Sequence, residues 1–274
     1  MLGSTLHTVN IRLSPSQIAY TIDHAEDDVI LFHADFIPLL EEVMLEVKRD
    51  ARLIVMRDSA DIELPQTTLK IEAIFDELFI NTDQYFSFPD FDENTRATTF
   101  YTTGTTGNPK AVAYSHRQLV LHTMGILATF GPMSANNRFH NRDVYMPITP
   151  MFHVHGWGFP YAATMLGLKQ IYPNRYVPNR LAELVCEHKV TFSHCVPTIL
   201  HMLLDSDAAA SADLSNWKLI IGGSALSRGL AERALAKGIN LFSAYGLSET
   251  CPLLTVAQLD PNDEENLDAR LKAV

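Results

Sequence analysis

The chain has 274 residues, 47% of them hydrophobic, and a formal charge of −11. That length holds one large core or two modest ones, and an acidic surface repels phosphate backbones, which argues against a nucleic-acid partner. No apolar run approaches the roughly 18 residues of a membrane-spanning helix. MLGSTLHTV lacks the basic start and apolar stretch of a signal peptide. Cys186, Cys195 and Cys251 are odd in number and have no metal-ligand spacing, so a reduced, cytoplasmic protein is expected.

In chain order, SPSQIAYTIDHAE (14–26) reads as a helix with Ser14 as its cap and Pro15 in its first turn. DDVILFH (27–33) and ARLIVMRD (51–58) read as buried strands, and DFIPLLEEVMLEVKRD between them has the apolar spacing of an amphipathic helix. Residues 83–96 are aromatic and acidic without periodicity, which predicts a surface connection. Thr98 to Thr102 suit a strand, and SHRQLVLHTMGILATFG (115–131) a long helix ending at a glycine. The later half alternates again: NRLAELVCEHKV as helix, TFSHCVP as strand, ILHMLLDSDAAAS as helix, WKLIIGGSAL as strand and glycine turn, SRGLAERALAKG as helix, INLFSAYGLSE as strand and loop. This order predicts an α/β fold of mostly parallel β-sheets flanked by helices. The charged tail, 258–274, reads as a solvated helix or a truncation boundary.

The segment YTTGTTGNPKAVAYSH (101–116) concentrates hydroxyls and glycines before a lysine. Thr102, Thr103, Thr105 and Thr106 offer donors, Gly104 and Gly107 let the backbone turn and present N–H groups, and Lys110 adds a mobile positive charge. Set between a strand and a helix, such a loop suits a polyphosphate, although the order of a P-loop is missing. A Thr/Gly-rich structural turn is the competing reading. His153 and His155 have no identifiable third metal ligand.

This loop resembles the signature loop of the adenylate-forming enzymes, the superfamily of acyl-CoA synthetases, luciferases and peptide-synthetase adenylation domains. In that family it wraps the phosphates of ATP; Ala111 replaces the usual glycine after Pro109-Lys110. MPITPMFHVHGWGFPYAATMLG is most similar to medium- and long-chain fatty-acyl-CoA synthetases, and the resemblance places His153 beside the acyl site and makes Trp157 a gate at the mouth of an acyl tunnel. IIGGSALS resembles the glycine turn beside adenine and acyl chain, which implies that Gly222, Gly223, Ser224 and Ala225 approach ligand. In FSAYGLSETCP the resemblance implies that Tyr245 flanks adenine, that Gly246 and Leu247 shape the turn, that Ser248 keeps a hydroxyl near the α-phosphate, and that Glu249 binds Mg²⁺ on the phosphates. A carboxylate there suits Mg²⁺, which prefers oxygen ligands. With Thr102 and Lys110, Glu249 forms the implied catalytic set.

The implied reaction is activation of an aliphatic, fatty carboxylic acid by ATP to an acyl-AMP, followed by thioester formation with coenzyme A. The resemblance covers about residues 5 to 257, as part of an N-terminal domain of two interlocked subdomains split near 90–100. Family members are about twice as long, so the ribose-binding aspartate and the mobile C-terminal lid fall outside the chain, and weak or no turnover is expected of it. A homodimer is implied because many relatives pair through this domain. A non-catalytic nucleotide- or acyl-binding remnant and an aryl-acid or luciferase-like branch are the alternatives.

Overall fold

Ser14 opens the first helix as its spacing predicts. Its hydroxyl accepts the Gln17 backbone N–H, and the Gln17 side chain in turn accepts the Ser14 N–H, a complete capping box. In this computed structural model the described residues are 2–59, 61–80, 85–103, 107–133, 137–258 and 266–273. They form two compact units, Met1–Ser115 and His116–Val274.

In the first unit, α1 (Pro15–Ala25) and α2 (Ile37–Met44) pack on a parallel sheet of β2 (Val29–His33), β3 (Arg52–Met56) and β4 (Ile71–Ile74). The core is Ile18, Ile22, Ile37, Leu40, Val43, Leu53 and Val55. The helix expected over the whole of DFIPLLEEVMLEVKRD stops at Met44, where Glu46, Lys48, Arg49 and Asp50 replace the apolar stripe. A second sheet joins β1 (Leu6–His7), β5 (Arg96–Thr102) and β6 (Lys110–Ser115): β1 runs parallel to β5, and β6 returns antiparallel with Thr102 opposite Lys110. β5 is held by both β1 and β6, and the hairpin lies in the first unit, which runs to Ser115.

The second unit is built on one sheet in the order β12-β11-β10-β9-β7-β8, comprising β7 (Val144–Pro147), β8 (Lys169–Gln170), β9 (Phe192–Cys195), β10 (Lys218–Ile221), β11 (Asn240–Gly246) and β12 (Leu253–Val256). All neighbours are parallel except β11 and β12. Successive side chains on a strand point to opposite faces, and both faces are apolar. Met146, Cys195, Leu219, Ile221 and Leu241 point to one face; Tyr145, Phe192, Ile220 and Phe242 point to the other. Helices α3 (His116–Phe130) and α4 (Phe159–Met165) cover the second face. Helices α5 (Pro178–His188), α6 (Pro197–Leu204), α7 (Asp207–Ser211) and α8 (Arg228–Ala236) cover the first. The single helix expected over ILHMLLDSDAAAS is two, because Ser206 caps a new one by accepting the Ala209 N–H. The tail contains α9 (Leu267–Ala273), whose Leu271 packs on the first-face core and whose Arg270 donates to the Ile239 carbonyl.

The two ends of this sheet differ in chemistry. At the amino ends of the strands, Lys218 donates to Asp143 Oδ1 and to the Arg138 carbonyl, both at 2.6 Å, and Thr191 Oγ1 donates to the same Asp143 oxygen at 2.6 Å. Burial pulls the Lys218 ammonium below the usual lysine range, and the hydrogen bond to Asp143 opposes that shift. At the carboxyl ends lie glycines, a tight turn and a cleft.

Candidate functional site: a cleft at the carboxyl edge of the second sheet

Open parallel α/β sheets present ligand sites beyond the carboxyl ends of their strands. Here a cleft of about 170 Å³ opens at that edge, lined by His153, Val154 and Trp157 from the segment after β7, Gly222 and Gly223 after β10, Ala244 to Ser248 at the end of β11, and Pro252 and Leu253.

Three local devices shape it. The first is the turn before α4, where Val154, His155, Gly156, Trp157 and Gly158 all have positive φ, from 48° to 76°. Left-handed backbone costs a non-glycine residue about 1–2 kcal/mol, so Val154, His155 and Trp157 are held there by their surroundings. Val154 and His155 are buried, and the Trp157 indole lies against the glycine turn. The second is that turn itself. A Cβ on Gly222 would stand 3.0 Å from the Ala244 carbonyl oxygen and 3.2 Å from the indole. Glycine therefore lets the indole edge approach the backbone. The third is the hairpin after β11. The Thr250 hydroxyl accepts the Leu247 N–H at 3.0 Å and donates to the Pro252 carbonyl at 2.7 Å, and Leu247 N–H also reaches that carbonyl.

Behind the cleft two histidines join its walls. His122 on α3 accepts the Leu253 N–H at Nε2, 3.2 Å, and its ring would meet a Cβ on Gly158 at 3.1 Å. Burial lowers its pKa. His194 on β9 has no exposed surface; Tyr145 OH lies 2.6 Å from its Nε2 and Thr149 Oγ1 3.0 Å from its Nδ1. Burial brings its pKa down to about 3, so the ring is neutral.

Of the residues singled out in the sequence, His153, Trp157, Gly222, Gly223, Tyr245, Gly246 and Ser248 line this one cleft. Ser224, Ala225 and Glu249 are exposed and do not line it. Glu249 sits in the 3-10 turn Ser248–Thr250, and no hydrogen bond or ion pair among the described residues engages its carboxylate. As an accessible oxygen donor it fits the coordination of Mg²⁺, which takes one or two carboxylates beside phosphate oxygens.

The threonine-rich loop belongs to the first unit. Gly104, Thr105 and Thr106 lie outside the described residues. Thr102, Thr103, Gly107 and Lys110 flank them, with Gly107 at φ 98°, Thr102 Oγ1 donating to the Lys110 carbonyl at 3.4 Å, and Thr103 and Lys110 exposed. The loop joins two antiparallel strands, not a strand and a helix: Lys110 begins β6, and α3 starts only at His116. No helix N-terminus follows it, so anion binding there would fall to backbone N–H groups, hydroxyls and Lys110.

His194, His122 and Tyr145 were not singled out in the sequence. A histidine inside an apolar strand reads as core; the available signal was alternation, which puts His194 on the same face as Phe192.

A cleft walled by glycines at the carboxyl edge of an open α/β sheet lies where such sheets bind small molecules. The chain belongs to the AMP-binding enzyme family, which it matches over residues 1–271. That span runs past residue 257 and ends within α9, at Leu271. It is 39% identical over 267 residues to the 3-methylmercaptopropionyl-CoA ligase of Ruegeria pomeroyi, covering 93% of this chain and 47% of the relative. It is also 39% identical over 255 residues to the long-chain-fatty-acid–CoA ligase of Thermus thermophilus, covering 92% and 44%. The fold matches the N-terminal domain of FACL13 from Mycobacterium tuberculosis, with a TM-score of 0.69 and 21% identity over 97% of this chain and 60% of that one. The chain spans about half the length of the curated relatives it matches. No helix among the described residues is long and apolar enough to cross a membrane.

Proposed function

We propose that the chain carries the acid- and nucleotide-binding part of an ATP-dependent ligase that activates an aliphatic carboxylic acid as its acyl-AMP and passes the acyl group to coenzyme A. The cleft carries this reading: one apolar cavity collects the Trp157 wall, the glycine turn and the Tyr245–Ser248 rim. Two relatives with 39% identity over more than nine-tenths of the chain are named as CoA ligases of aliphatic acids, which favours an aliphatic over an aryl substrate.

In this reading Mg·ATP supplies the α-phosphorus and the pyrophosphate leaving group. Lys110 with the Thr102 and Thr103 hydroxyls binds phosphate oxygens and stabilises charge as it develops on pyrophosphate. Glu249 holds the Mg²⁺. Tyr245 flanks the adenine, Gly246 keeps the rim open, and Ser248 hydrogen-bonds near the α-phosphate. Gly222 and Gly223 let the acid approach backbone closely, and Trp157 and His153 bound its chain. Ser224 and Ala225 extend that turn toward solvent. No side-chain nucleophile is required, because the substrate carboxylate attacks and the protein contributes position and charge. The working setting is cytoplasmic, and the protein acts as a homodimer.

The test is pyrophosphate release from Mg·ATP by the 274-residue chain against straight-chain acids of increasing length. Weak, acid-dependent release is the expected result. Saturable ATP binding with no release leaves an incomplete ligase, and failure to bind Mg·ATP at all overturns the reading.

A further inference from the structure

We infer that His194 is a specificity-determining residue that fixes Trp157 as an immobile wall, so that the cleft takes short, compact aliphatic acids and excludes long ones. This rests on the reading of the cleft as the acid site.

The argument begins with what stands behind the indole. The Trp157 ring is 5.2 Å from the His194 ring, centroid to centroid. His194 in turn stacks on Phe159 at 5.1 Å and on Tyr145 at 5.7 Å. The outer edge of the indole's six-membered ring meets the glycine turn, 3.2 Å from a Cβ on Gly222. Trp157 is therefore bounded by backbone at that edge and by His194, the first of three stacked buried rings. To admit a longer chain, the indole would have to swing into space those rings fill.

His194 is itself pinned. Both ring nitrogens have hydroxyl partners, Tyr145 at 2.6 Å and Thr149 at 3.0 Å. Tyr145, Phe159 and His194 all have no exposed surface. Packed interiors move by discrete rearrangement, not by yielding, so a ring bonded at both nitrogens makes a stiff backing. The left-handed turn acts in the same direction, since Val154 and His155 are buried where a change of backbone hand would expel them.

The volume in front of the wall agrees. The cleft holds about 170 Å³, below the roughly 300–1,000 Å³ of sites for drug-sized ligands. Trp157, Gly222 and Gly223 are among the residues that line it. A short acid fits with its carboxylate toward the rim of Tyr245 to Ser248, and each added methylene presses on the wall.

The experiment replaces His194 in a graded series, His194→Leu, His194→Val and His194→Ala. Binding of butyrate, hexanoate, octanoate and decanoate is titrated calorimetrically in the presence of Mg·ATP, with folding checked by thermal melting. The wild-type chain is expected to bind butyrate at least about tenfold more tightly than decanoate, a difference within reach of methylene discrimination in an apolar pocket. His194→Leu, which keeps most of the volume but loses both hydrogen bonds, should keep the order with a smaller preference, because an unpinned side chain backs the indole less stiffly. His194→Val and His194→Ala should shift the optimum toward octanoate and decanoate by about tenfold or more. Should the alanine variant unfold, the valine variant carries the same comparison. Acids that bind the wild type and the folded small variants in the same order overturn the role of His194 and leave the acid site standing. Failure of every acid to bind any of these proteins overturns the acid-site reading itself, and the inference with it.

Discussion

A Cβ added to Gly246 would fall on the carbonyl oxygen of Pro252. That carbonyl already accepts the Leu247 N–H and the Thr250 hydroxyl, so it cannot turn aside without breaking both. The cleft rim is thus built on the absence of one carbon atom.

Gly246→Ala should cost about 2 kcal/mol of stability, in the range of backbone-incompatible substitutions. Urea unfolding measures the loss. The change is also local, and amide hydrogen exchange at Leu247 should accelerate. Exchange that stays at the wild-type rate would show that the hairpin absorbs the new carbon elsewhere.

Removing the carboxylate charge from the buried Asp143–Lys218 pair should be more damaging than the sequence positions imply. Asp143→Asn leaves the Lys218 ammonium, only 7% exposed, beside a neutral amide. Breaking one side of a buried pair costs about 3–5 kcal/mol. The double variant Asp143→Asn, Lys218→Met should recover part of that loss, because no unpaired charge is then buried. A double variant as unstable as the sum of the singles would contradict the pairing.

Much of this architecture was legible in the chain because its elements announce themselves locally. Ser14, Pro15 and Gln17 mark the start of α1, and the apolar runs of β2, β3 and β10 stand where periodicity put them. What sequence could not reveal is pairing at a distance. Nothing in YTTGTTGNPK says that Lys110 returns opposite Thr102 and not into a helix. The left-handed turn was equally hidden, since Val154, His155 and Trp157 are poor residues for it and only Gly156 and Gly158 hint at it. His194 becomes visible only when Tyr145 and Thr149 arrive from forty-odd residues away to bond it.

The pH dependence of folding should carry the signature of His194. Its folded pKa lies near 3, against an ordinary value of 6.5, because burial disfavours the cation. The unfolded chain therefore takes up a proton that the folded chain refuses. Stability is fully present above pH 6.5 and falls as pH drops from there toward 3, by at most about 1.4 kcal/mol per pH unit for each such histidine. His122 shifts in the same direction. Urea unfolding of wild type and His194→Leu at several pH values in that window should give a shallower slope for the variant. Parallel slopes would mean that His194 is protonated in the folded protein.

Lys110 should matter to chemistry and not to folding. It is exposed at the first residue of β6. Lys110→Ala should leave the melting temperature in place and lower acid-dependent pyrophosphate release by roughly 10²-fold, the cost of losing one charge-stabilising donor. An unimpaired rate would remove Lys110 from the phosphate site.

The sheet of the second unit has a bolted end and an open end. Asp143, Thr191 and Lys218 fasten the amino ends of the strands, while the glycines, Trp157 and Tyr245 sit beyond the carboxyl ends. Heritable change can therefore reach the two ends separately. A lineage that rewrites the residues after β7, β10 and β11 alters what the cleft admits while the fastening stays closed, whereas a change at Asp143 or Lys218 threatens every ligand at once. Novelty in this scaffold is spatially insured: the same strands that carry variation at one tip carry its safeguard at the other.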